Sequence, residues 1–335
     1  MLKAILTRSF LAATAAMTVA GCASSSTDEP QPADDRQEMR FAVNDVSSRA
    51  LATNSTLATQ GAAFDVWGQM VRTQPTGGTR IKVFDGVTVT RTATDWTYDN
   101  PQYWFPGFTY DFKAIYSAGE NLTTTYSDDG SLTVSDFDAT KGVDLLFANE
   151  TRVCPEAAAD GTTTPMGTVD LKFRHQLSRV TFGVRTDDRY TGGDNVRKIV
   201  VDAIEVTGVN GAATLNIAAD GKTSWSIAAD AAKAVYSNSS DGGITLTNDY
   251  QDLFPGDKVI LAIPQTLNGV KVKVSYHYTV GSLGDVSTEI NLNGTWEAGK
   301  SYRYPIIINT HIFFGAPEVD EWTTAPISNN KFNIE

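Results

Sequence analysis

The sequence predicts an all-β protein, organised as two β-sandwiches in tandem. Three observations lead there. Runs of alternating apolar and polar residues, rich in Val, Ile, Thr, Tyr and Phe, recur along most of the 335 residues. Gly, Asp and Asn cluster in the breaks between runs, where turns need them. The runs number about twice the seven or so strands of one sandwich, and about 290 residues are more than one small core usually holds.

The first residues read as an address. Lys3 and Arg8 carry positive charge, an apolar run spans Phe10 to Ala20, and "VAGC" closes it at Cys22. The run is too short to span a bilayer as a stable helix. Positive charge, apolar run and a cysteine directly after Ala20 and Gly21 resemble the lipobox of bacterial lipoproteins, which implies cleavage between Gly21 and Cys22 and diacylglycerol on the Cys22 thiol. Acyl chains there would anchor the protein in a membrane, since each buried methylene contributes about 0.8 kcal/mol. "ASSSTDEPQPADDRQE" follows, small, acidic and proline-containing, and is expected to be a flexible tether over 22–40.

The formal net charge is −12, and removing Lys3 and Arg8 with the leader makes it two units more negative. Such a balance argues against nucleic acid as a partner and against charge-driven binding to an anionic membrane. There are only two cysteines; with Cys22 acylated, Cys154 has no disulfide partner, so the fold must rest on its own core.

The body begins with "RFAVNDV". Simple alternation puts Phe41, Val43 and Asp45 on one side of a strand and Ala42, Asn44 and Val46 on the other, before an accessible Ser-Ser-Arg at 47–49. Strand-like runs continue at 80–92, 110–117, 131–137, 144–149, 168–176 and 178–186. Further ones follow at 197–209, 213–219, 244–248, 258–265, 270–280, 287–293 and 302–309. Only "SIAADAAKAVYS" at 226–237 hints at helix. The expected division is a first sandwich over 41–177, a second over 178–309, and an extension over 310–335.

Groups for catalysis are sparse. His175, His277 and His311 fall in separate runs, with no spacing that marks a metal site, and Cys154 has no histidine near it in sequence. No nucleophile elbow, phosphate loop or dinucleotide fingerprint occurs. The acidic stretches 127–138 and 186–195 do not fit a calcium loop and read as solvated turns. The expectation is therefore a non-enzyme with no metal and no cofactor. Aromatics concentrate in "DWTYDNPQYWFPGFTYDF"; Trp96, Tyr103 and Trp104 are candidates for stacking on a glycan, with core packing as the commoner use of such rings.

"FDVWGQ" (64–69), "YWFPG" before "YDFKAIY", "DLLFAN", "VDLKFRHQLSRVTFGV", "LAIPQ" and "NGTWEAGKSYRYPIII", in that order behind a lipobox, resemble the fimbrillin-like proteins of Bacteroidales, subunits of type V pili. The resemblance implies two transthyretin-like sandwiches, export as a lipoprotein to the outer membrane and cell surface, and polymerisation by donor-strand exchange with other subunits, self or sibling. By this analogy an arginine-directed protease cuts between Arg49 and Ala50 and frees the strand holding Phe41, Val43 and Val46. Arg40 and Arg36 are alternative cut sites. Another subunit's C-terminal extension then fills the groove; here Ile312, Phe313, Phe314, Val319, Trp322, Ile327, Phe332 and Ile334 are the donor candidates. A tail that completes its own second sandwich is the competing expectation. The alternative function is a monomeric surface lipoprotein or fimbrial anchor that binds a glycan or protein, a host or bacterial surface ligand, without polymerising.

Overall fold

A computed structural model describes residues 36–46, 57, 59–75, 78–193, 196–255, 258–280 and 284–322, with only the backbone at 44–46. The leader, Gly21, Cys22, Arg49, Ala50, Ile327, Phe332 and Ile334 lie outside the described residues. Within them the chain is β nearly throughout, as its periodicity predicts.

The first strands in chain order are β1 (Arg40–Val46), β2 (Ala63–Arg72), β3 (Ile81–Arg91), β4 (Trp96–Thr97) and β5 (Phe108–Tyr116). After them come β6 (Thr123–Tyr126), β7 (Leu132–Asp138), β8 (Leu146–Cys154) and β9 (Thr168–His175). Seven of these form one sheet in the order β1-β9-β8-β5-β2-β3-β4. Every neighbouring pair in it is antiparallel except the edge pair β1 and β9, which is parallel. One face gathers Phe41, Phe64, Phe84, Phe112, Leu171 and Phe173 into a core of interlocking rings. Trp67, Ile115 and Phe147 point away from it into a separate core.

The second half contributes β10 (Ser178–Arg185), β11 (Ile199–Asn210), β12 (Ala212–Ile217), β13 (Thr223–Ser226), β14 (Lys233–Thr245), β15 (Gln251–Asp252) and β16 (Ile260–Ala262). It ends with β17 (Gln265–Thr266), β18 (Val270–Tyr278), β19 (Val286–Leu292), β20 (Thr295–Trp296), β21 (Lys300–Ile308), β22 (Ile312–Phe314) and β23 (Glu318–Glu321). A four-stranded sheet β14-β11-β18-β19 faces a six-stranded sheet centred on β10 and β21. Alternate residues of both, among them Val201, Ile204, Val272, Val274, Phe182, Tyr304 and Ile306, fill the core between them.

Between the two halves lies a sheet ordered β13-β12-β7-β6, with two strands from either side of residue 177. Its Leu132, Val134, Leu215 and Ile217 pack with Trp67, Ile115 and Phe147 and with Leu261 and Ile263. The described residues from Gln37 onward accordingly belong to one compact unit. The helical hint at 226–237 is not realised: Ser226 ends β13, Ala228 and Ala231 close a turn, and Lys233 opens β14. The alanines there favour helix, but intrinsic propensity is a weak determinant, and the ladder from β14 to the buried β11 outweighs it. Helical turns occur at Ala139–Lys141 and Asp188–Tyr190.

Candidate assembly site

β1 closes one edge of the first core. Its register matches Phe41 with Val169 and Val43 with Leu171, then slips between Val43 and Asp45 so that Val46 is matched with Phe173. Simple alternation missed this bulge at Asn44, which adds one residue to the strand. Phe41 is 3% exposed and meets four rings edge-on: Phe84 at 5.5 Å, Tyr98 at 5.8 Å, Phe112 at 5.9 Å and Phe64 at 6.4 Å. Burying a phenylalanine contributes roughly 1.5–3 kcal/mol, and good ring pairs add to it.

The residues before β1 are held from both sides. Met39 N donates to Gln102 O (2.8 Å), Trp104 N donates to Gln37 O (2.9 Å) and Tyr98 Oη donates to Met39 O (2.8 Å). On the other flank Gln37 Nε2 donates to Thr163 Oγ1 (3.2 Å) and Thr164 O (3.1 Å), while Met166 N donates to Gln37 Oε1 (2.8 Å). Met39 itself is fully buried. Residues 37–46 are therefore a plug between β9 and the 98–104 segment. Lifting it would expose backbone donors and acceptors beside an open aromatic core. Burial raises the Tyr98 phenol above its ordinary range, and burial pushes Tyr110, which accepts from Phe105 N, up to about 12.

The glycan candidates separate. Trp104 is buried, its ring against Tyr110 at 4.8 Å and Phe112 at 5.8 Å, so it presents no face to a sugar. Trp96 is half-buried under Phe64 with the Arg91 guanidinium over its ring, and Tyr103 is half-buried beside Glu38. Phe105, 51% exposed, is the open ring of this cluster.

At the other end of the chain, β22 and β23 both run antiparallel to β21, interrupted at Gly315–Pro317. Ile312 and Phe314 pack partly on the second core, whereas Phe313 and Val319 are 54% and 48% exposed. The segment ends at Trp322, which is buried, stacked 3.6 Å from the His175 ring, and donates its backbone N–H to Gly299 O at 2.7 Å. His175 in turn places Nδ1 2.8 Å from an Asp144 carboxylate oxygen, both side chains buried. The described part of the tail thus lies on its own chain, with Trp322 as its anchor.

The remaining candidates are structural in their surroundings. Cys154 is buried, and burial pushes its thiol up, away from nucleophile behaviour. In the acidic stretches Asp129 is held low by Ser131 N–H and Oγ–H, and Asp187 by Arg189; Asp138 caps the turn at Thr140. Sequence reasoning missed a cluster of Asp202, His277 and Asp285, whose members are up to 83 residues apart and meet only through strand pairing.

The profile of the fimbrillin-like family matches residues 48–322, from just beyond β1 to Trp322, and the chain belongs to that family. The family is structural and not enzymatic. A candidate cell adhesion protein from Bacteroides ovatus is similar in fold: TM-score 0.50, 13% identity, 86% of this chain and 98% of that one. Another from Bacteroides uniformis aligns with TM-score 0.47 and 18% identity over 88% of this chain and 100% of that one. One from Parabacteroides distasonis gives 0.46 and 11% over 86% and 98%. No curated protein matches the sequence.

Proposed function

We propose that the protein is a structural subunit of a cell-surface fimbria, exported as a lipoprotein through Cys22 and polymerised by donor-strand exchange after proteolysis removes β1. The observation that carries this reading is the seating of β1: a short edge strand whose Phe41 fills the centre of an aromatic core it shares with five other strands. A strand so placed is replaceable by another chain's strand that restores both the ladder and the ring contacts. Repetition of that contact between successive copies is head-to-tail and builds a filament.

Arg49 is the preferred cut site. Arg40 has its backbone in the ladder with Thr168, and a cut there leaves Phe41 in place, whereas a cut after Arg49 frees all of 37–46. The two sandwiches, 41–177 and 178–309, then act as rigid links joined through the shared β13-β12-β7-β6 sheet. Residues beyond Trp322, carrying Ile327, Phe332 and Ile334, are the part of the extension we assign as donor, because Ile312 to Glu321 already pairs with β21. The partners are further fimbrial subunits, at the outer membrane until the lipidated leader is cut away.

The test is brief arginine-directed proteolysis of the chain starting at Cys22, followed by mass and oligomer size. Cutting after Arg49 and growth of denaturant-resistant ladders is the expected result, and Arg49→Ala should stop both. A protein that is cut at Arg49, sheds β1 and stays monomeric at high concentration would sink the reading.

A further inference from the structure

We propose that Asp202, His277 and Asp285 form a binding site for a transition-metal dication of the zinc type on the outer face of the β14-β11-β18-β19 sheet. The site follows from strand register. β18 and β19 pair Tyr276 with Val286, so the next rung places Asp285 directly across from His277. β11 and β18 pair Val200 with His277 and Val201 with Tyr276, and both ladders of β11 skip Asp202 before resuming at Ala203. Asp202 is thus the extra residue of a bulge on a central strand, a device that re-aims one side chain.

The result is a row across three neighbouring chain segments: carboxylate, imidazole, carboxylate. His277 Nδ1 lies 2.9 Å from both oxygens of Asp202, and donor atoms of all three residues fall within 4.8 Å of one another. Bringing each donor to about 2.0–2.2 Å of one ion closes such a set. The alternating polar face leaves the ligands accessible, with Asp202 and His277 side chains each 37% exposed and Asp285 exposed.

Charge supplies the second argument. Two carboxylates converge on one imidazole, and among the described residues no lysine or arginine pairs with either of them. A dication neutralises that pair of carboxylates. One imidazole and two carboxylates suit zinc, cobalt or manganese better than calcium, which prefers an all-oxygen set of higher number. Three protein ligands leave a coordination position for water or for a side chain of a neighbouring molecule. Gly243 of β14 borders the site: a side chain there would come 3.2 Å from Asp202 Oδ1 and 2.3 Å from Val200 Cγ1, so β14 leaves its flank unobstructed.

The experiment is titration of the full chain with Zn2+ by calorimetry and with Co2+ by visible absorption, beside His277→Ala and Asp285→Asn. Both side chains are surface-accessible, so circular dichroism melts should show the variants folded. The expected result is one equivalent bound at micromolar concentration or tighter, with affinity lowered at least tenfold in each variant. No binding by the native chain at millimolar metal overturns the proposal, as does an equivalent that both variants retain unchanged.

Discussion

The chain has a strand at a sheet edge near each end, and the two are fastened by different means. β1 is held by what its side chains fill: Phe41 is 3% exposed among four rings, and Met39 is fully buried before it. The segment from Ile312 to Glu321 is held by its backbone ladder to β21, with Phe313 and Val319 about half in water, and by one buried side chain at its end, Trp322. Removing β1 therefore opens a core, whereas removing the C-terminal segment mainly uncovers an edge. A strand of the first kind can be replaced only by one that brings matching apolar residues; a strand of the second kind accepts many sequences.

The contrast breaks most readily at Phe41. Phe41→Ala should destabilise the uncut protein by about 3–5 kcal/mol, as large aromatic truncations in cores do, read as a lower urea midpoint at unchanged slope. A loss under about 1 kcal/mol, within the range of surface changes, would mean that the rings close without it. Trp322→Ala should cost no more than the low end of that range, about 3 kcal/mol, because the segment it anchors is otherwise held by its backbone ladder to β21 and not by buried side chains. Protection of the β23 amides from hydrogen exchange should fall along with it, while β1 keeps its own.

Alkaline pH sharpens the comparison between the two cores. Burial raises Tyr110 in the first core and Tyr276 in the second to about 12, against the ordinary tyrosine value of 10.0. Between those values the unfolded chain ionises and the folded one does not, so the stability each of these two phenols contributes is full below pH 10, falls as pH rises, and is lost by about 12. Tyr110→Phe should flatten that fall by one tyrosine's share, and Tyr276→Phe by a similar share, in urea melts at pH 9 and 11.5. Equal slopes in native and variant proteins would show that neither phenol is shielded. The smallest effect belongs to Phe313→Ala, within about 0.5 kcal/mol of native; a larger loss would place Phe313 in a contact of its own.

Much of this was legible in the sequence because period two survives wherever one face is buried. Phe41 and Val43 reveal the plug strand in this way, while "YRYPIIIN" reveals β21 as a continuous aromatic and β-branched run, buried on both faces. What escaped depends on register. The extra residues at Asn44 and Asp202 leave no local mark, since a bulge is fixed by the partner strand. The stacking of Trp322 on His175 joins residues 147 positions apart, and neither looks unusual in its own neighbourhood. Trp104 belonged to a segment whose rings could serve a sugar platform or, more commonly, a core; its burial against Tyr110 separates the two. The alanines of 228–232 misled toward helix because propensity is a weaker preference than pairing with a buried strand.

One consequence of the seating of β1 concerns time rather than stability. While joined to the body, the strand faces its own groove at an effective concentration in the millimolar range, set by the short connection through 47–56. Under the proposed cut after Arg49, the described contacts of 37–46 would stay in place while re-closure would change from a unimolecular step into one limited by dilution. The fastening would then act as a clock, started by a single peptide-bond cleavage and running at the off-rate of a ten-residue ligand.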